Sequence, residues 1–239
     1  MRRAVSCLSL MLLVAGCAAT YVTPGGPVRL VDINRADIAA EASRKPSPNF
    51  PARIAVTRVQ AADYRSYTAE PYVSGASFSV VTTQELATDE QMEALTRWPD
   101  VAGIAPVNRL LLPARLEAVD DLRVAAAKVQ ADVLLVYTID TTFRVQGRGY
   151  GPLAVISLGL IPDRDAYITS TASALFIDVR TGYVYGLGEA TAKASGLTNA
   201  WGSGDTVDRK RLDAEQEAFA RLLVEAAKTW SGIVAQYGH

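Results

Sequence analysis

The sequence has few of the side chains on which catalysis and metal binding most often depend. Its 239 residues include two cysteines and one histidine, and His239 is the last residue. Chain ends are usually frayed, so a catalytic or metal-ligating histidine is not expected. Cys7 and Cys17 both lie near the start, which leaves no thiol for a disulfide or a thiolate metal site beyond them. We therefore expect neither a cofactor nor a metal.

The sequence also lacks an excess of basic charge. It has 24 Lys and Arg residues against 25 Asp and Glu residues, a formal net charge of −1 at pH 7. Nucleic-acid-binding domains normally carry a clustered basic surface, so nucleic acid is not an expected partner. Apolar residues make up 49% of the chain, enough for one substantial core.

The first sixteen residues have the three parts of an export signal. Arg2 and Arg3 precede an apolar run over residues 4–15, and Gly16 is a small residue before the cut. The run is too short to span a bilayer, for which a helix needs roughly 20 apolar residues. We expect residues 1–16 to be removed by cleavage between Gly16 and Cys17.

Val14-Ala15-Gly16-Cys17 also matches the lipobox of bacterial lipoprotein signals, in which the cysteine receives diacylglycerol and further acyl chains such as palmitate. Several acyl chains on one residue give lasting membrane attachment, whereas one chain binds only marginally. An ordinary secretory signal with an unmodified Cys17 is the alternative. Ala18 stands where an aspartate would favour the inner membrane, which indicates the periplasmic side of the outer membrane.

Proline and glycine are concentrated in residues 17–52, which include the run Pro24-Gly25-Gly26-Pro27. Proline fixes φ and has no amide donor, so this stretch is predicted to be a flexible tether after the acylated cysteine. Within this tether, a short helix between Asn34 and Arg44 is the alternative to a fully flexible chain. The folded periplasmic domain is predicted over residues 53–239.

Hydrophobic patterns predict the elements of this domain. Alternating or continuous apolar runs indicate strands over residues 53–59, 78–82, 101–112 and 132–145. Residues 166–179 and 183–194 are typical of a hairpin closed by Arg180-Thr181-Gly182, in which glycine supplies positive φ. Apolar residues with helical spacing predict three helices: over 88–98, over 116–131, and after a polar loop at 196–208. Thr88 and Gln91 are expected to form a capping box at the start of the first helix. We predict an α+β fold with a single mixed sheet packed by two or three helices.

Residues 153–161 form an apolar run with two possible roles. Nine residues suit a membrane strand, which needs about 9 to 11. A buried strand is the alternative, and the composition favours it. The residues that would contact a membrane or a partner are Leu153, Val155, Ile156, Leu158, Leu160 and Ile161.

Other polar groups have simpler explanations than catalysis. Asp120 and Asp121 lie early in a predicted helix, where carboxylates favour the positive end of the helix dipole. Ser170 and Ser195 have no internal histidine to activate them, so an acyl-transfer triad cannot form, and a serine assisted by Lys193 is the remaining alternative. The glycines at 147, 149 and 151 lack the lysine of a phosphate loop, and Asp163 and Asp165 lack further oxygen ligands for a cation.

The apolar strand Ala131–Val136, a glycine-rich hairpin loop, and the stretch Ala174–Gly182 ending in Thr-Gly together resemble the curli secretion channel family. This resemblance implies a periplasmic α/β domain with an anticodon-binding-domain-like sandwich, similar to the TolB amino-terminal domain and to lipoprotein activators of cell-wall synthases. In that family a protomer contributes two membrane hairpins. Here the second would fall at residues 196–208, which are short and polar.

A second resemblance links the chain to the lipoproteins associated with rhombosortase systems. It rests on Leu110-Leu111-Leu112-Pro113, on Tyr137-Thr138, and on the Arg180–Tyr183 hairpin. With these likenesses, the sequence favours a non-enzymatic, membrane-anchored envelope lipoprotein that binds a protein partner or self-associates. The alternative is a subunit of an oligomeric outer-membrane secretion channel of the curli type.

Overall fold

The computed structural model describes residues 26–27, 38–47, 49–64, 71–72, 77–81, 86–147, 164–198 and 204–238. In this part of the chain, strands and helices form an α+β fold around one mixed sheet, as predicted. The strands are β1 (Ala52–Ala61), β2 (Pro71–Tyr72), β3 (Phe78–Val81), β4 (Val101–Pro106), β5 (Val133–Gly147), β6 (Arg164–Asp178) and β7 (Val184–Thr198). The helices are α1 (Ile38–Ser43), α2 (Asp89–Leu95), α3 (Val119–Lys128) and α4 (Gly204–Tyr237).

The sheet is organised around β1, which pairs with three strands. Its order is β2-β3-β1-β5-β6-β7, with β4 beside β1. β5 runs parallel to β1 on one side, while β4 pairs with the first half of β1 and β3 with the second half. β5, β6 and β7 are each 15 residues long and form an antiparallel meander. The near-continuous apolar runs of β1 and β5 fit this position, because central strands are covered on both faces.

Both local signals read from the sequence are confirmed. Thr88 Oγ1 accepts a hydrogen bond from Gln91 N at 3.2 Å, and Thr88 N donates to Gln91 Oε1 at 3.0 Å, which completes the capping box of α2. Gly182 has φ of 74° in the turn between β6 and β7. At the start of α3, Asp121 accepts from the backbone N of Glu117 and Ala118, a capping role.

Two cores lie on opposite faces of the sheet. The face under α4 buries Trp230, Phe176 and Phe219, and the Trp230 indole donates to Pro99 O at 2.7 Å. The other face packs under α3 around Leu122 and Leu134. Of the helices in the described residues, none combines the length and the apolar character needed to cross a membrane.

α4 lies close over β7 because one face of that strand carries small residues. Gly186, Gly188, Ala190, Ala192 and Ala194 alternate along it. A Cβ built on Gly188 would lie 3.6 Å from the backbone of α4. This alternation was available in the sequence as a sign that a helix crosses the strand.

Two predicted boundaries are wrong. The strand predicted over 101–112 ends at Pro106, since Asn108 Oδ1 accepts from Leu110 N at 3.0 Å and starts a 3-10 turn over Arg109–Leu111. The polar loop predicted over 196–208 is shorter, because β7 continues to Thr198 and α4 begins at Gly204. Burial of Asp208 against the sheet helps to explain why the helix starts early.

Candidate functional site

The residues that the sequence selected for attachment and contact lie outside the described residues. These are Gly16, Cys17 and the six apolar residues of the 153–161 run. The residues that flank segment 148–163 are described, however, and Gly147 and Arg164 are cross-strand partners at the ends of β5 and β6. β5 and β6 therefore pair up to the two residues that flank this segment, and the apolar run lies between the two strands in the sequence.

β5, β6 and β7 continue beyond β1 as a three-stranded ribbon, which we call the strand extension. It comprises residues 138–147, 164–173 and 189–198, and β1 pairs with β5 only as far as Tyr137. Ten residues of strand correspond to about 33 Å. This ribbon reaches well past the rest of the sheet.

One face of the strand extension carries hydroxyl groups, and we call it the open face. The Oγ1 atoms of Thr171 and Thr191 lie 2.9 Å apart on neighbouring strands, and Ser173 Oγ donates to Glu189 Oε2 at 2.8 Å. Such cross-strand pairs stabilise a sheet. The exposed side chains on this face include Thr142, Tyr167, Glu189, Thr191 and Lys193.

The free edge of β7 is occupied by α4. The Arg221 guanidinium donates to Thr191 O at 3.1 Å, and the Thr229 hydroxyl donates to Leu187 O at 3.2 Å. Four residues of strand and eight residues of helix both span about 12–13 Å, so the two spacings match. Free strand edges tend to pair with other chains, and here helix side chains bind the edge carbonyls instead.

Beyond the last residue that β1 pairs, the edge of β5 is bound by the side chain of Gln60. Gln60 Nε2 donates to Ile139 O at 3.0 Å, and Gln60 Oε1 accepts from Ile139 N at 3.2 Å and from Thr138 Oγ1 at 2.8 Å. The carboxamide thus continues the pairing that β1 leaves.

Four charged side chains are buried between the sheet and the first turns of α4. Arg211 donates to Asp208 at 2.9 Å and to Glu215 at 2.5 Å, and Arg58 of β1 lies 3.8 Å from Glu215. All four are less than a tenth exposed, and their charges balance. Burial opposes the charge of Arg211, but the carboxylates of Glu215 and Asp208 outweigh it and hold the pKa of Arg211 above its usual value.

This ionic cluster also holds the strand extension. Thr141 Oγ1 donates to Glu215 Oε1 at 2.9 Å and lies 3.0 Å from Ser170 Oγ. Ser170, considered as a nucleophile from the sequence, is therefore part of a buried network. Sequence reasoning missed this cluster, although Asp208, Arg211 and Glu215 are spaced to share one face of a helix.

A second polar centre lies at the opposite end of the sheet, at the β6–β7 turn. The buried Asp178 carboxylate accepts from the backbone N of Ser47, Arg180 and Thr181 at 2.7, 2.9 and 2.9 Å, and from the Tyr185 hydroxyl at 2.7 Å. These bonds fix the turn and the chain that enters the domain at Ser47. The last part of the predicted tether thus contacts the domain.

The described residues contain no group of three metal-ligating side chains that could hold an ion. The buried carboxylates in this part of the chain accept hydrogen bonds or form ion pairs that stabilise the fold. The strand extension, with its exposed open face, is the feature best suited to binding another molecule.

Comparison of the chain with known proteins finds distant structural matches. No family model matches, and no curated protein does. A Xanthomonas campestris protein of the DUF330 family matches with a TM-score of 0.37 and 14% identity, over 81% of this chain and 92% of that chain.

Two further matches have lower TM-scores. A PelC dodecamer from Paraburkholderia phytofirmans has a TM-score of 0.28 and 15% identity over 76% of this chain and 94% of its own. A lipoprotein from Neisseria meningitidis has a TM-score of 0.27 and 15% identity over 72% of this chain and 99% of that chain. These likenesses are too distant to support an argument about function, and the resemblances to curli channels, TolB and rhombosortase-associated lipoproteins stay predictions.

Proposed function

We propose that this protein is a lipid-anchored envelope protein without enzymatic activity, which binds another protein through its strand extension. The observation that carries the proposal is the open face, on which Thr142, Tyr167 and Lys193 are exposed on the three neighbouring strands β5, β6 and β7. Protein interfaces combine aromatic contacts with direct hydrogen bonds, and these side chains can supply both. The lipobox at Cys17 would hold the domain at the outer membrane, on its periplasmic side.

The roles of the buried polar groups support a non-enzymatic function. Asp178 accepts four hydrogen bonds at a turn, and Glu215 binds Arg211 and Thr141. A general base must be within reach of a substrate proton, whereas these carboxylates are buried among their own partners. They act as structural anchors.

Site-specific photo-crosslinking in cells tests the binding surface. A photoreactive amino acid placed at Thr142 or Thr191 on the open face should give a specific crosslinked product with an envelope protein. The control position is Val224, which is exposed on α4 away from this face. Repeated failure at both strand positions, or the same products from Val224, would contradict the proposal.

The anchor needs a separate test. The Cys17→Ala variant should lose incorporation of an alkyne fatty acid, because the acylated sulfur is removed. The wild-type chain, grown in parallel, provides the control. Label that persists on Cys17→Ala would show that the anchor lies elsewhere.

A subunit of a secretion channel is the second candidate. It is favoured by the 15-residue hairpin of β5 and β6, whose connection carries the apolar run at 153–161. Electron microscopy of detergent-extracted protein distinguishes the two functions. Ring-shaped oligomers would support the channel function, and monomers would contradict it.

A further inference from the structure

The strand registers arrange the side chains of the open face in rows across β5, β6 and β7. In one row, Asp140 pairs with Thr171, and Thr171 pairs with Thr191. Two positions from Thr191 along β7 lies Glu189 in one direction and Lys193 in the other, each about 7 Å away. Both of these charged side chains are exposed. Opposite charges therefore lie at equal distances on the two sides of this middle row.

The two ends of the same face carry apolar side chains. Tyr167 is 44% exposed and lies four positions from Thr171 on β6. Leu187 is 67% exposed, lies four positions from Thr191 on β7, and pairs with the half-buried Leu175 of β6. We call Leu175 and Leu187 the apolar end. Tyr167 and the apolar end are each about 13 Å from the middle row, in opposite directions.

We propose that a second copy of this chain binds to the open face, related to the first by a two-fold axis along the middle row. The inference rests on the proposed function, whose partner it identifies. A two-fold axis between two facing sheets exchanges the two directions along their strands, so every contact occurs twice. Glu189 of each copy then lies opposite Lys193 of the other, and Tyr167 lies opposite the apolar end.

Both kinds of contact are favourable between stacked sheets. Such sheets lie about 10 Å apart, and side chains of the two facing surfaces fill the space between them. The ring of Tyr167 covers exposed leucine surface while its hydroxyl can still bind a polar group. The facing charges of Glu189 and Lys193 favour this register over others. Asp140 is half-buried and lies about 10 Å from Thr191 across the sheet, at the margin of the contact.

The size of the face predicts a weak dimer. From Tyr167 to Leu175 it extends about 27 Å along the strands, and the three strands together are about 14 Å wide. This area is smaller than the roughly 800 Å² that each partner contributes to a stable interface. Two copies anchored in one membrane are confined near each other, which raises their effective concentration. We therefore expect the dimer in the membrane.

Chemical crosslinking of the acylated full-length protein in bacterial membranes tests the dimer. The mature chain has no cysteine besides the acylated Cys17, so Thr191→Cys provides a single thiol, close to its own copy across the axis. A short bismaleimide should join two differently tagged copies. Val224→Cys, at an exposed position of α4, is the matched control. A dimer yield from Thr191→Cys no higher than that from Val224→Cys would overturn the proposal.

Charge reversal tests the register. In the Thr191→Cys background, Glu189→Lys or Lys193→Glu alone places like charges opposite each other and should lower the dimer yield about tenfold. The double variant restores opposite charges and should recover at least about half of the yield. It still lacks the Ser173–Glu189 hydrogen bond, so recovery cannot come from that bond. Glu217→Lys on α4 is the control, and a double variant that stays as low as the single variants would refute the register.

A further measurement separates the second copy from the proposed function. A photoreactive amino acid at Thr142 reports on any protein that binds the open face. If it captures a different envelope protein while Thr191→Cys gives no dimer, the proposed function stands and the second copy is excluded. If neither position gives a product, both proposals are wrong.

Discussion

Gln60 and Ile139 are joined by two hydrogen bonds, one in each direction, at 3.0 and 3.2 Å. A side-chain amide offers the same donor and acceptor as a peptide group. Gln60 therefore binds β5 just beyond Tyr137, where the backbone pairing of β1 with β5 ends. This side chain lies at the boundary between the central sheet and the strand extension.

Replacing Gln60 should destabilise the domain. Gln60→Met keeps the size of the side chain but leaves buried backbone groups of Ile139 without these partners, at a cost of about 1–3 kcal/mol for each unsatisfied group. Urea denaturation measures the change. Gln236→Met, at an exposed position of α4, is the control and should change the free energy of unfolding little. Equal effects of both variants would contradict the role assigned to Gln60.

Two Arg–Glu pairs on α4 allow a direct comparison of buried and exposed charge. Glu215 binds Arg211 in the interior, whereas Glu217 binds Arg221 with both side chains more than half exposed. Glu215→Ala leaves Arg58 and Arg211 with too little negative charge and should cost about 3–5 kcal/mol. Glu217→Ala should cost less than about 1 kcal/mol. Chemical denaturation of both variants provides the measurement, and similar losses would show that the cluster does not behave as buried charge.

Tyr185 makes stability depend on alkaline pH. Its burial, and next the hydrogen bond to Asp178 with the charge of that carboxylate, raise the pKa of Tyr185 well above its usual value of 10.0. Below pH 10 the unfolded state keeps this proton too, so its full stabilising effect is present. Above pH 10 the unfolded state loses the proton first, and the free energy of unfolding should fall.

The Tyr185→Phe variant checks this explanation. It should be less stable at neutral pH, because the Asp178 carboxylate loses a hydrogen bond, and its stability should fall less steeply between pH 10 and 11. Tyr167→Phe, which alters an exposed tyrosine, is the comparison. Denaturation curves at several pH values decide the question, and identical alkaline slopes for wild type and Tyr185→Phe would refute it.

The contact of α4 with β7 depends on the small residues beneath it. Gly188→Val would push branched carbons against the backbone of Ala226, which lies 3.6 Å from a built Cβ, and should cost about 1–3 kcal/mol. Thr191→Val, on the exposed face of the same strand, keeps the branched shape and loses only its cross-strand hydrogen bond with Thr171, so it should cost less than about 1 kcal/mol. Thermal unfolding compares the two. A tolerated Gly188→Val would mean that the helix does not lie against this row.

The sequence predicted those features whose causes are local. Thr88 and Gln91 are three residues apart, and Gly182 supplies its own positive φ, so neither depends on the rest of the fold. The near-continuous apolar run at the start of β5 and the Arg180-Thr181-Gly182 turn between β6 and β7 likewise identified the strands of the meander, because both are local patterns.

The missed features depend on residues far apart in the chain. The glycine-rich and polar stretch around 196–208 is typical of a loop, whereas Asp208 at its end is buried against Arg211, in a cluster that also includes Arg58 about 150 positions earlier. Gln60 gives no sign in the sequence that it will pair with a strand. Among the candidate site residues, Cys17 and the 153–161 run lie outside the described residues, so their roles stay predictions.

The parallel pairing of β1 with β5 has a consequence for the order in which the domain forms. Gln60 and Ile139, which meet at the end of this pair, are 79 positions apart, whereas β5, β6 and β7 follow one another directly. Synthesis proceeds from the amino terminus, and long-range strand pairing is slow. β1 is therefore synthesised early, and its parallel neighbour β5 follows only later. Between these two events the chain is most exposed to mispairing.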